Sequence, residues 1–237
     1  MYKVIFFDFG ETLVEAYPSV AQGYVTILEK FNLGITEEQM DQALDSVREL
    51  VASRLEHPDA SACAEAYNRY TRGIMTSLLD RLGVLKKMGE GMAEEILGGF
   101  GAIQDSPNRY RVYPDVRPTL EALAQRGFVL GILSNWDWHL PELVSALGLD
   151  VHFDYVITSA HVGYRKPHRG IFLHALKEAG ISPEEAFMVG DNYLPDVQGA
   201  QGVGMSAILL DREETRQYPD LSIKDLVELD RYLDSHP

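Results

Sequence analysis

A single cysteine, Cys63, rules out an internal disulfide, and a reducing, cytoplasmic setting is the expectation. No stretch is apolar for the ~18 residues or more that a membrane-spanning helix requires. The first apolar run, Val4 to Phe7, stops at Asp8, too short and too soon for a secretory signal, so it reads as a core strand. Basic runs and basic–aromatic stripes are missing as well. With 21 Lys and Arg against 36 Asp and Glu, the formal charge is −15, which disfavours nucleic acid and anionic lipid as partners. The seven histidines show no H-x-x-x-H or H-E-x-x-H spacing, so a zinc helix is not expected. "GGFG" and "GVG" lack the surroundings of a phosphate loop and read as turns or caps. There is no internal repeat and no low-complexity tail. An anion can still bind such an acidic chain where a metal or a lysine locally overrides the field.

What is present is a hydrophobic content of 46% over 237 residues, enough for a sizeable core with room for an insertion. After the first strand, roughly residues 15 to 110 show no convincing strand pattern and read as helices. "PSVAQGYVTILEKF" places Pro18 at a first helical position. "TEEQMDQALDSVRELVASRLE" opens on Thr36 as N-cap, with acids in its first turn. "DASACAEAYNRYTRGIMTSLLDRLG" has Asp59 or Ser61 as cap and Gly83 as terminator; "EGMAEEILGGF" follows, before a polar link "QDSPNRYRVYP". Tyr24, Phe31, Tyr67 and Tyr70 are expected to pack between these helices.

From Pro114 the texture alternates. Helical "DVRPTLEALAQRG", "PELVSALG", "RGIFLHALKEAG" and "LPDVQGAQGVG" each lead to a short apolar run: "FVLGILSN", "FDYVITS", "AFMVGD" and "SAILL". That alternation predicts an α/β fold, a parallel sheet covered on both faces. The first strand, without a nearby partner, belongs in the same sheet, so the helical stretch is an insertion.

Ligands of open parallel sheets bind outside the carboxyl ends of the strands. Asp8 ends the first strand, Ser134 and Asn135 the second, and Gly190 and Asp191 the fourth; Lys166 lies in the loop "GYRKPH" after the third, and Asp196 follows Asp191 by one short turn. A carboxylate such as Asp8 can attack an electrophile. Thr12, Ser134 and Asn135 offer donors suited to phosphoryl oxygens, and Lys166 a cation to orient Asp8. Asp8, Asp191 and Asp196 form a hard-oxygen cluster that suits Mg²⁺. Trp136 and Trp138 either wall the pocket or pack on its rim, and Arg165 reads as surface.

Together "DFGETL", "ILSN", "YRKP" and "GDNYLPDVQGA" resemble the four motifs of the haloacid dehalogenase-like hydrolase superfamily, in its order. The resemblance covers residues 1–13 and about 111–210, and the insertion resembles that family's helical cap. It implies a Rossmann-like core over 1–14 and 110–237 with a cap over 15–109. It further implies Asp8 as nucleophile with Lys166 beside it, and Mg²⁺ held by Asp8, the main-chain carbonyl of Gly10 and Asp191, with Asp196 binding directly or through water. The implied activity is hydrolysis of a small phosphorylated metabolite by a monomer or homodimer.

Gly10 departs from the pattern, because phosphatases of that kind carry a second aspartate there for proton transfer. Family dehalogenases also lack it. They need no metal, however, and hold their substrate with an early cap arginine, whereas no Arg lies between Asp8 and Arg48 here. Phosphonate cleavage would need a cap lysine, for which only Lys30 is placed early. A non-catalytic binding module is the third reading, and Gly10 is its only support. Glu11 is the nearest substitute acid, but in an extended turn it would point away from the site.

Overall fold

The computed structural model describes residues 1–52, 64–104, 106–214, 218 and 221–235. The expected caps Asp59 and Ser61, and Cys63, lie outside them.

Strand β1 (Val4–Phe7) sits in the middle of a six-stranded parallel sheet, flanked by β4 (Val129–Ser134) and β6 (Ala186–Gly190). Beyond them lie β5 (Tyr155–Thr158) on one side, and β7 (Ser206–Leu210) and β8 (Ser222–Ile223) on the other. All four β1 side chains are buried, as a central parallel strand covered on both faces requires. Successive residues of a strand face opposite sides. Ile5 and Phe7 therefore enter the core formed with α5 (Val116–Gln125), α6 (Leu140–Ala146) and the C-terminal helix α8 (Val227–Ser235). Val4 and Phe6 enter the core formed with α7 (Arg169–Ala179). Neither β8 nor α8 is among the elements expected from the sequence.

Helices α1 (Val20–Glu29), α2 (Glu37–Ala52), α3 (Ala64–Arg81) and α4 (Glu90–Gln104) close around an apolar cluster of their own. Tyr24 and Phe100 stack at its centre with ring centroids 4.1 Å apart, both inaccessible to solvent. Each such aromatic contributes about 2–3 kcal/mol of transfer free energy. Thr36 caps α2 reciprocally with Gln39: its hydroxyl accepts from the Gln39 amide at 3.2 Å, and its own amide donates to Gln39 Oε1 at 3.0 Å. Pro18, by contrast, lies outside α1, because Ser19 is the N-cap and accepts from the Gln22 amide.

The insertion is joined to the sheet by a two-stranded antiparallel ribbon, β2 (Val14–Ala16) with β3 (Tyr110–Val112). No strand pattern is visible in this region of the sequence. Three residues are too few to display a period of two, and the partners lie almost a hundred residues apart.

Candidate active site

The carboxyl ends of β1, β4 and β6 meet at one rim. The Asp8 amide donates to the Val189 carbonyl at 2.9 Å, carrying the β1–β6 ladder one residue past the strand and setting the direction of its side chain. Lys166, 4% exposed, reaches this carboxylate from the loop after β5. Its Nζ donates to Asp8 Oδ1 at 2.6 Å and to the Leu133 carbonyl at 2.7 Å. It also pairs with Asp196 Oδ1 at 2.6 Å.

Asn135 fastens that loop. Its Nδ2 donates to the Lys166 carbonyl at 3.0 Å and its Oδ1 accepts from the Lys166 amide at 2.7 Å, so most of its amide is committed to the protein main chain. Thr12 is fully buried, and its hydroxyl donates to Asp191 Oδ1 at 3.3 Å. Ser134 is buried at the end of β4.

Asp196 lies in a widened helical turn, Tyr193–Gln198, and its Oδ2 accepts from the Asn192 amide at 3.0 Å. Asn192 Nδ2 donates to Asp191 Oδ2 at 2.7 Å, tying the two acids together. Asn192 is a residue of this site that motif spacing does not single out; its signal in the sequence is its place directly after Asp191 in "GDNYLPD".

Among the described residues, Asp8, Asp191 and Asp196 each bring a carboxylate oxygen within 4.8 Å of the others. Three acids against one lysine strain the site electrostatically. Burial, then the Asp8 and Asp196 charges, push Asp191 up to about 8. Burial is also the main cause that raises Asp196, to about 6, against the pull of Lys166. Lys166 opposes its own desolvation through the charges of Asp196 and Asp8, and its pKa is raised on balance. An all-oxygen donor set of this size fits a hard divalent cation such as Mg²⁺.

This strain has a measurable consequence. Both carboxyls hold their protons more tightly folded than unfolded. They therefore favour the folded state at low pH, and that contribution is lost as pH rises through about 6 for Asp196 and about 8 for Asp191. Metal-free protein should melt higher as pH falls across this window. Asp191→Asn should raise the metal-free melting temperature on the alkaline side by about 4 °C, equivalent to relieving ~1–2 kcal/mol in a protein of this size. Calorimetric scans of both proteins across the window test this, and identical pH profiles would contradict it.

Gly10 adds no side chain, and the ring of Trp136 lies over it: a Cβ built there would meet Trp136 Cζ3 at 3.1 Å. The indole is held edge-on to Phe9 (5.2 Å between centroids) and against Tyr110 (5.7 Å). Glu11 is not extended. Its φ is +55°, and its Oε2 accepts from the Tyr113 hydroxyl at 3.1 Å. Arg212 braces the same turn: its Nη2 donates to the Thr12 carbonyl at 2.8 Å, and its guanidinium lies 3.9 Å from the Tyr113 ring centroid.

Two sequence expectations fail at the junction with the insertion. Tyr67 packs with Ala160, Tyr70 and Trp138, across to the sheet domain and not only among helices. Arg165 is half-buried with its charge beside the Tyr67 phenol, not loose on the surface.

The family model described as haloacid dehalogenase-like hydrolase matches residues 2–204. Glyceraldehyde 3-phosphate phosphatase of Methanothermobacter thermautotrophicus is 31% identical over 232 residues, covering 93% of this chain and 90% of that protein. Haloacid dehalogenase-like hydrolase domain-containing protein 3 of Mus musculus is 39% identical over 130 residues, and the match spans about half of each protein (55% and 51%). A HAD phosphatase of Thermococcus onnurineus superposes with a TM-score of 0.64 at 29% identity, covering 98% of both chains. A 2-haloacid dehalogenase of Pseudomonas syringae pv. tomato does so with a TM-score of 0.66 at 25% identity, over 100% of both.

Proposed function

The chain belongs to the haloacid dehalogenase-like hydrolases, and from that membership and the geometry of the rim we propose that it is a Mg²⁺-dependent phosphohydrolase acting on a small phosphorylated metabolite. The observation that carries this reading is the convergence of Asp8, Asp191 and Asp196 on one another, two of them paired with the buried Lys166. Three carboxylates would be a liability in an enzyme that used only one of them, and they are what a divalent cation requires.

In this reading the Asp8 carboxylate attacks phosphorus, the bond to the leaving oxygen breaks, and an aspartyl-phosphate forms. Water then attacks that phosphorus, releasing inorganic phosphate and restoring Asp8. Lys166 holds Asp8 in place and offsets charge on the transferring group. Mg²⁺, held by Asp8, Asp191, Asp196 and the Gly10 carbonyl, would supply further charge neutralisation. Asn135 holds the lysine loop and Thr12 holds Asp191, while Ser134 and the remaining Asn135 N–H serve the phosphoryl oxygens. Residues 15–109 act as a cap over a core of 1–14 and 110–237, meeting it at Tyr67, Trp138 and Arg165 and screening the substrate from bulk water.

Gly10 favours a second reading, carbon–halogen cleavage, since a halide leaves without a proton. The assay that separates the two measures phosphate release from p-nitrophenyl phosphate beside chloride release from 2-chloropropionate. Phosphate release should fall by ~10²-fold or more in EDTA and return with Mg²⁺, because the ion supplies several kcal/mol of charge stabilisation. Chloride release that is indifferent to EDTA would assign the dehalogenase chemistry instead.

A further inference from the structure

Away from the carboxylate rim, a charged side chain is buried with less company than its chemistry demands. Arg109 ends the short turn Pro107–Arg109 just before β3 and is 6% exposed. Its Nη2 is shut off from bulk water and makes no hydrogen bond to any described residue. A guanidinium is always protonated and offers five donors, so an unmet one in a dry setting is costly. Its position depends on Gly23: any Cβ there would overlap Arg109 Nη1, and the bare helix surface lets the guanidinium lie against α1. The first turns of α1 carry the positive end of the helix dipole, which adds to the cationic character of the place.

Arg109 forms part of the wall of a cavity of about 600 Å³ between α1 and α4. Ile27, Phe31 and Ile103 give it apolar surface, and Lys30 brings a second cation against one acid, Glu95. In a chain of net charge −15, a cavity with two basic residues and one acidic one is a local reversal of sign. None of its lining residues belongs to the carboxylate cluster or to the loops that carry it. It adjoins both connections between the helices and the sheet, where the Tyr17 amide donates to the Arg109 carbonyl at 2.7 Å.

We propose that this cavity is a second binding site, for a small organic anion whose carboxylate or phosphoryl group pairs with the Arg109 guanidinium while its carbon body lies against Ile27, Phe31 and Ile103. The anion gives the cationic wall of Arg109 and Lys30 a counter-charge, and the apolar wall accounts for a ligand larger than an inorganic ion.

Isothermal titration of the full chain with phenylacetate, phenylphosphonate and the neutral phenylacetamide tests the proposal. At least one of the two anions should bind saturably at one site that phenylacetamide does not fill, and the preferred anion identifies the head group. Arg109→Gln should weaken that binding by ~30-fold or more, as expected when one partner of a buried charged pair is truncated. Gly99→Leu keeps Arg109 but projects a side chain from α4 toward Ile27, and should weaken it similarly. Both variants should retain wild-type hydrolysis. Absence of binding by both anions, equal binding of the amide, or undiminished binding in the two variants would overturn the assignment.

Discussion

Asp8→Asn should lower phosphate release by on the order of 10⁵-fold, the scale seen when a covalent nucleophile is removed. The amide is isosteric but cannot attack phosphorus, and it is a poor ligand for a hard cation. The fold should survive the change. The strand that delivers Asp8 is held by apolar packing and by ladder bonds to β4 and β6, none of which uses the carboxylate. Lys166 keeps Asp196 as a partner, so no buried cation is stranded. Stopped assays on p-nitrophenyl phosphate, with circular dichroism alongside, measure both halves of the expectation. A variant that kept a hundredth or more of the wild-type rate would take the nucleophile's role away from Asp8.

The second large effect concerns the leaving group. A positioned acid–base side chain contributes about 10²–10⁴ in rate, and the place for one beside Asp8 is occupied by the Trp136 ring over Gly10. Aryl and acyl phosphates, whose leaving oxygens depart with little protonation, should therefore turn over ~10²-fold or more faster than alkyl phosphates such as glycerol phosphate. Glu11 does not fill the gap. Its left-handed backbone and its bond to Tyr113 direct it elsewhere, so Glu11→Gln should leave the aryl-to-alkyl ratio unchanged.

Restoring the acid is a question of space. The φ of Gly10 lies outside the left-handed region, so the turn accepts a Cβ, but the indole must yield by a few tenths of an ångström. Gly10→Asp combined with Trp136→Leu should raise the alkyl rate more than the aryl rate, and by more than Gly10→Asp alone. Equal wild-type rates on the two substrate types, with chemistry rate-limiting, would mean that another group supplies the proton.

The α/β core, and the rim at which its candidate residues gather, are written in local patterning. Apolar runs alternating with helical periods specify a parallel sheet. In such a sheet, residues just past each strand must share one rim, which is why Asp8, Lys166, Asp191 and Asp196 were found far apart in the chain yet within a few ångströms in the fold. The cap of α2 was legible for the same reason, since Thr36 and Gln39 act within one turn. The remaining contacts depend on how the elements pack. Whether Trp136 lines the rim or covers Gly10 depends on Phe9 and Tyr110, which meet it only after folding. Asn135 and Thr12 are hydrogen-bonding groups by residue type, and the partners they meet, the Lys166 main chain and Asp191, come from distant segments. Tyr67 against Arg165, and Arg109 against Gly23, are likewise contacts between separate elements. Local periodicity carries the direction of a strand or a helix face, but which two side chains finally touch depends on how those elements are packed together.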